Sequence, residues 1–222
     1  MKPVALKISL FGLMAIAAFG SALTACSQNQ AISSPQTPGS PAMNHDMGGM
    51  NHTTTMDLGA ADAEFDLRFI DAMTPHHQGA VVMAKEAQQK SKRSEIQNLA
   101  TEIITAQNQE IAQMKQWRQA WYPKASKDAI AYNAQMGHSM PMTPEQKSSM
   151  MMTMNLGAAD VKFDLRFINA MIPHHQGAVT MAEDALNKSK RPEVQKLAND
   201  IIASQKAEIS QMKQWRKAWY NQ

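Results

Sequence analysis

The feature that most restricts what this chain can fold into is a duplication: residues 56–122 and 154–220 are one segment written twice, 98 residues apart and identical at 46 of 67 positions. Such self-similarity means that one supersecondary unit occurs twice and that stacking the copies can bury what a single copy leaves exposed. In the first copy Phe65, Phe69, Met73, His76, Ala80, Met83 and Ala87 recur at three- and four-residue spacing, which puts them on one face of a helix. The second copy repeats this stripe from Phe163 to Ala185. A second stripe runs through Ile96, Ala100, Ile103, Gln107, Glu110 or Ile111, Met114 and Trp117 or Arg118, and its counterpart runs from Val194 to Trp219. The break falls at residues 90–93, with Ser94 as an N-cap and Pro192 at a first helical position. Each copy is therefore predicted to be a helical hairpin. One hairpin of about 60 residues buries too little surface to be secure alone. The expected fold is all-α, a four-helix bundle made of two tandem hairpins. Strand-like alternation is not evident, and the alanine-rich residues 127–135 of the connector read as a short helix. Pro75 and Pro173, inside the first helix of each copy, free the carbonyls of Asp71 and Asn169 and predict a kink beside the histidines.

Outside the copies the chain divides into residues 1–26, 27–55 and 123–153, with the second hairpin extending to 222. The first stretch pairs a short basic start with an apolar run too short for an ordinary membrane span, which reads as a secretory leader. It ends in Leu23-Thr24-Ala25-Cys26, which resembles a lipobox, so a lipid on Cys26 is one expected form of the mature chain. The expected location is the periplasm or the exterior, with membrane contact only through that lipid. Residues 27–55, rich in Ser, Pro, Gln, Asn and Gly, have little to bury and are expected to be disordered. The net charge of +3 includes Lys2 and Lys7 of the leader, so the remainder is close to neutral, which argues against a nucleic-acid partner. A single cysteine excludes a disulfide framework, a thiolate zinc site and an iron–sulfur cluster.

The 19 methionines outnumber the aromatic residues. Thioether sulfur is a soft, neutral ligand that selects Cu(I), and by the same logic Ag(I), over harder ions. It also survives an oxidising compartment in which paired thiols would become disulfides. Methionine commonly fills cores, but Met43, Met47, Met50, Met136, Met140, Met142, Met150, Met151 and Met152 lie outside the repeats, where no core is expected. Three clusters mix sulfur with imidazole or concentrate sulfur: His45, Met47, Met50 and His52 beside Met43; Met136, His138, Met140 and Met142; and Met150 to Met152 with Met154.

Within the hairpins Met73, His76, His77 and Met83 recur as Met171, His174, His175 and Met181. Residues three and four apart on a helix are neighbours, so Met73 can share an ion with His76 or His77, and Met114 or Met212 can approach from the second helix. Adjacent histidines diverge by about 100°, so one of each pair is expected to be solvated or hydrogen-bonded. Single methionines here serve equally well as core. Carboxylate di-iron bundles need Glu-x-x-His, which is absent from the sequence. Asp62, Asp66, Glu110, Asp160, Asp164 and Glu208 offer some oxygen ligands, but read first as surface ion-pair partners of Arg68, Arg118 and the lysines. The aromatic ends, Trp117 to Tyr122 and Trp215 to Tyr220, read as closures of the helical assembly.

The run Met-x-Pro-His-His-Gln-Gly-Ala, followed by Gln-x-x-Glu-Ile-x-Gln-Met-Lys-Gln-Trp in the second helix, resembles the ferritin-like domain-of-unknown-function family 305, in a duplicated form covering both repeats. The resemblance implies a helical bundle, an extracytoplasmic location and Cu(I) and Ag(I) binding in copper resistance. Its matching positions are Met73, His76, His77, Met83 and Met114, then Met171, His174, His175, Met181 and Met212.

The combined expectation is a copper-binding protein without enzymatic activity, which sequesters Cu(I) or passes it to a copper-accepting or export protein of the envelope. Ag(I) and Cu(II) are further candidate ions. Mixed His/Met sites are expected to weaken on acidification, since histidine titrates near neutrality. The rival readings are a haem-binding helical electron carrier with Met and His axial ligands and a lipid-tethered interaction module with an adaptable methionine surface.

Overall fold

Apolar residues at helical spacing become four long helices. The computed structural model describes residues 57–222; the leader with Cys26, the segment 27–55 with Met43, His45, Met47, Met50 and His52, and Met56 lie outside the described residues. The protein is mostly helical. Helices α1 (Phe65–Lys90) and α2 (Ser94–Trp121) form one hairpin, and α4 (Phe163–Lys188) and α5 (Pro192–Tyr220) form the other. Both inward stripes are buried as their spacing requires. Pro192 does begin α5, whereas Ser94 is already inside α2 and Arg93 occupies the cap position. Both α1 and α4 continue through their internal prolines. Among the described residues no helix is long and apolar enough to cross a membrane.

The connector departs from expectation. It folds into strands β1 (Ile130–Asn133) and β2 (His138–Pro141), paired antiparallel, followed by the short helix α3 (Pro144–Met151). The predicted helix over residues 127–135 is thus replaced by β1 and its turn. Two anchors on α1 explain why. Asp71, nearly buried, accepts hydrogen bonds from Arg118 and from the backbone N–H of Ile130 at 2.9 Å, which fixes the start of β1. Arg68, 1 % exposed, donates to the carbonyls of Leu58 and Ala60 and to the Ser139 hydroxyl of β2. Buried polar groups of this kind must be paired, so they dictate the path of the backbone that pairs them. The second copy carries Asn169 in place of Asp71, bonded to Arg216 alone. The connector accordingly packs on α1 of the first copy. Helix α3 starts with a capping box, in which Thr143 and Gln146 satisfy each other's backbone N–H, and ends at Met152 in the left-handed region, φ 45°.

The hairpins meet through α1 and α4, and the contacts come in symmetric pairs. Lys90 at the end of α1 donates to Gly157 O just before α4, and Lys188 at the end of α4 donates to Gly59 O just before α1. Arg93 pairs with Asp164 and lies 4.1 Å above the Trp219 ring, while Arg191 pairs with Asp66 and lies 4.2 Å above Trp121. The two central helices therefore run antiparallel, with a local two-fold relation between the copies. Burial of the apolar stripes follows the same exchange. One core cluster joins Phe65, Phe69, Met73 and Met114 to Met181, Ala185 and Leu197 of the other copy. The second joins Phe163, Phe167, Met171 and Met212 to Met83, Ala87 and Leu99. Met142 and Met150 of the connector are buried in the first cluster, so there is core for connector methionines after all. Met136 and Met154 remain exposed, at 59 % and 57 %.

The end of α3 sits directly on α1 at Gly79, where a Cβ would meet the Met151 carbonyl oxygen at 1.7 Å. At the equivalent Gly177 a Cβ would meet nothing nearer than 3.1 Å. Helix propensity favours alanine over glycine by about 1 kcal/mol at either position. Gly79→Ala is expected to lower the thermal midpoint by about 5 °C through the backbone clash, and Gly177→Ala to leave it unchanged or raise it. Circular dichroism melts check this, and equal shifts would contradict the docking of α3 on α1.

Candidate metal centre

All four repeat histidines lie inside the protein. His76 and His174 are 1 % exposed, and His77 and His175 are fully buried. The divergence of adjacent side chains on a helix is met without solvating either one. His77 and His175 turn into their own hairpins, and His76 and His174 turn toward each other.

Within each hairpin a carboxylate meets the ring. His77 Nε2 lies 2.7 Å from Glu110 Oε2, and His175 Nε2 lies 2.6 Å from Glu208 Oε2. The second contact has hydrogen-bond geometry; in the first the ring is turned off that line. In the second, a carboxylate that only accepts takes a hydrogen bond from Nε2 of His175. Nδ1 is buried without a partner in both copies. Glu110 and Glu208 were expected to pair with arginine or lysine; Arg118 instead pairs with Asp71. Sequence spacing fixes what else stands at this level. Met73 is four residues before His77, Met114 is four after Glu110, and the His77–Glu110 contact brings both turns to the same height. Met171, His175, Glu208 and Met212 repeat the arrangement. The thioethers of all four methionines are in the core. A ring N–H held by a carboxylate while the other nitrogen is left free is the usual support of a metal-binding histidine.

Between the copies the rings of His76 and His174 are 3.9 Å apart, centroid to centroid, and tilted by 46°. His174 Nε2 donates to the Met151 carbonyl at 3.1 Å, and its Nδ1 is unpartnered. Neither nitrogen of His76 has a partner. Burial, reinforced by the neighbouring imidazoles, holds His76 well below its ordinary pKa of 6.5. Burial, with His175 alongside and partly opposed by the Met151 carbonyl, lowers His174 to about 3. Both rings are therefore neutral at pH 7, with lone pairs available to a cation.

Several candidate ligands stand apart from this centre. Met83 and Met181 are exchanged into the other copy's cluster, so neither joins the methionines of its own motif. Met136, His138 and Met140 are exposed on the β-hairpin, where the Met140 sulfur accepts from Asn133. Met151 and Met152 reach the centre from the connector, while Met154 points to solvent. Among the described residues no group of three or more His, Cys, Asp and Glu side chains is placed to hold an ion. Sequence reasoning missed Glu110 and Glu208 as histidine partners, although their position four residues before Met114 and Met212 put them on the inward side. It also had no signal for the meeting of His76 with His174, which arises only from packing one copy on the other.

The depressed pKa values set the acid sensitivity of the metal-free protein. Between pH 6.5 and about 3 the unfolded chain binds protons at positions 76 and 174 that the folded chain refuses. Stability is therefore full above pH 6.5 and is expected to fall as the pH drops through that window. The His174→Asn variant should show a shallower fall in urea midpoint over the same range; an identical slope would contradict the burial of a neutral ring.

Comparison with known proteins agrees with this architecture. The chain is similar to the solved structure of CopM in the Cu(I)-bound form, with 43 % identity, a TM-score of 0.55, and coverage of 70 % of this chain and 97 % of that one. CopM in the Cu(II)-bound form gives 45 % identity and a TM-score of 0.56 at the same coverage. A DUF305 fragment from Deinococcus radiodurans is 28 % identical, with a TM-score of 0.54, covering 69 % of this chain and 95 % of that one. Uncharacterized protein L153 of Acanthamoeba polyphaga mimivirus is 47 % identical over 49 residues, which are 22 % of this chain and 32 % of that protein, so the match spans about a third of that relative's length. The family model described as Domain of unknown function (DUF305) matches residues 3–118 and again 66–216. With that double match spanning both hairpins, the chain belongs to the DUF305 family.

Proposed function

We propose that this protein binds Cu(I), and Ag(I) in its place, at buried Met/His sites, and that it sequesters the metal or hands it on outside the cytoplasm, without catalysing a reaction. One observation carries the reading: four imidazoles are buried with ring nitrogens that nothing in the fold satisfies, in an interior that also holds methionine sulfur. Leaving such a group unpaired costs about 1–3 kcal/mol each, and a soft cation bound by neutral nitrogen and sulfur offsets that cost. Sulfur and nitrogen donors favour copper and silver over hard ions such as Mg(II) and Ca(II), which prefer oxygen ligands. The similarity to CopM structures holding Cu(I), Cu(II) and Ag supports the same choice of ion.

Each hairpin supplies one equivalent site: Met73, His77 and Met114 with Glu110 behind the ring, and Met171, His175 and Met212 with Glu208 behind it. The two hairpins act as a ferritin-like four-helix scaffold that pre-positions these side chains. The exposed Met136, His138 and Met140, with the methionines and histidines of residues 43–52, are the exchange ligands that load or unload it. Release to a copper-accepting or export protein of the envelope would start from those ligands. The basic, apolar leader supports delivery to the periplasm or beyond, with Cys26 as the point of lipid attachment.

Glu110→Gln and Glu208→Gln keep the shape of each side chain and remove the charge that orients the ring. Each is expected to weaken Cu(I) at its own hairpin by about 10–100-fold, read by anaerobic competition with a Cu(I) chelator. Unchanged retention in both variants would contradict the assignment of His77 and His175 as ligands.

A further inference from the structure

Where both copies are described, the segments that lead into α1 and α4 take the same path. Arg68 Nε donates to Leu58 O and Arg166 Nε to Leu156 O, both at 2.6 Å, while Lys188 and Lys90 hold Gly59 O and Gly157 O on the opposite copy. Leu58 shares a core cluster with Ala182 and Ala185 of α4, and Leu156 shares one with Met83 and Ala87 of α1. Further back, only the second copy's segment is described. The end of α3 lies over α1, where a Cβ on Gly79 would meet the Met151 carbonyl at 1.7 Å, and that carbonyl accepts from His174 Nε2 at 3.1 Å. Gly79 is buried there, and Pro75 and Gln78 are half-buried. The same face of α4 is uncovered among the described residues: Pro173 and Gln176 are exposed and Gly177 is half-buried. His76 corresponds to His174, and its buried Nε2 has no partner among the described residues. That nitrogen is 3.1 Å from the place where a Cβ of Gly177 would stand.

We propose that residues 51–56 of this chain dock on the face of α4 at Gly177, as residues 149–154 lie over α1 at Gly79, and that the Thr53 carbonyl accepts a hydrogen bond from His76 Nε2. The occupant follows from reach and register. Thr55-Met56 ahead of Leu58 recurs as Thr153-Met154 ahead of Leu156, so residue 53 is the counterpart of Met151. The described chain begins at Asp57, two residues before the Gly59 carbonyl that Lys188 holds on α4. Residue 53 thus stands as far from its anchor at Gly59 as Met151 does from Gly157. A glycine on a helix face admits another backbone at close range, and a buried ring N–H requires an acceptor. Both needs are met by a main-chain carbonyl, so the exchange of methionine for threonine at this position leaves the contact intact. From the connector only the flexible end of the Met152 side chain approaches the spot, 3.7 Å from the Cβ position of Gly177; an unbranched thioether repacks readily. The contact is independent of the ion the protein binds. One backbone segment from each copy then covers the layer of His76 and His174, and His52, the counterpart of Met150, enters at the edge of that cover.

The test is nuclear Overhauser spectroscopy on the full, metal-free chain with isotopically labelled threonine methyl groups. The wild-type protein is expected to show contacts from the Thr53 and Thr54 methyls to the Gly177 α-protons and the Gln176 side chain, together with a slowly exchanging Nε2 proton on His76. Gly177→Ala is expected to lose both signals while keeping its helicity and thermal midpoint. A segment held at one end escapes the added methyl by letting go, whereas α3, held at both ends, must bear the clash at Gly79. Wild-type protein lacking either signal, or a folded Gly177→Ala variant retaining either one, would overturn the proposal. Threonine contacts that arise only between labelled and unlabelled chains in a mixed sample would give this face of α4 to a second copy and overturn it as well.

Discussion

The antiparallel contact of α1 with α4 is the constraint on which the other features depend. It sets His76 against His174 in the middle of two helices whose ends are clamped by exchanged lysine and arginine contacts. An imidazole in that position is removed from water, so its charged form is disfavoured and its ring nitrogens must find partners within the protein or a ligand. The apolar residues cannot supply them. The thioethers around the layer are the one soft, neutral donor type available there. Packing and the neutral state of His76 and His174 thus follow from one geometric fact, and the proposed metal preference rests on it.

Duplication gives two equivalent hairpins, and small differences between them decide where the connector goes. Asp71 has a carboxylate where the second copy has Asn169, and that carboxylate holds both Arg118 and the start of β1. The connector is thereby drawn to α1, where its short helix lands on Gly79 and its last residues reach the histidine layer. A symmetric sequence becomes an asymmetric centre through one buried charge.

Much of the helical frame was legible from the chain. Stripes such as Phe65-Phe69-Met73 and Ile96-Ala100-Ile103 carry the 3.6-residue period over many turns, and each is buried as that period demands. The sheet was not legible, because strands of four residues anchored by Arg68 and Asp71 owe their existence to contacts far away in sequence. The same is true of the site. Residue type and spacing singled out Met73, His77 and Met114 as candidates, and these sit on one hairpin. The carboxylates behind the rings, the facing His76 and His174, and the approach of Met152 depend on tertiary packing. Conversely, the premise that connector methionines have no core to fill holds for Met136 and fails for Met142 and Met150, since the β-hairpin and α3 pack these side chains into the first helical core cluster.

The central claim is that the buried imidazoles and thioethers between these helices hold a monovalent soft cation. Crystals of the protein grown with Ag(I), with the anomalous signal of silver used to place each ion, test it most directly. Ions bounded by His77 Nδ1 with the sulfurs of Met73 and Met114, and by His175 Nδ1 with those of Met171 and Met212, are the predicted result. Silver confined to surface methionines, with the inner histidines unligated at saturation, would contradict it.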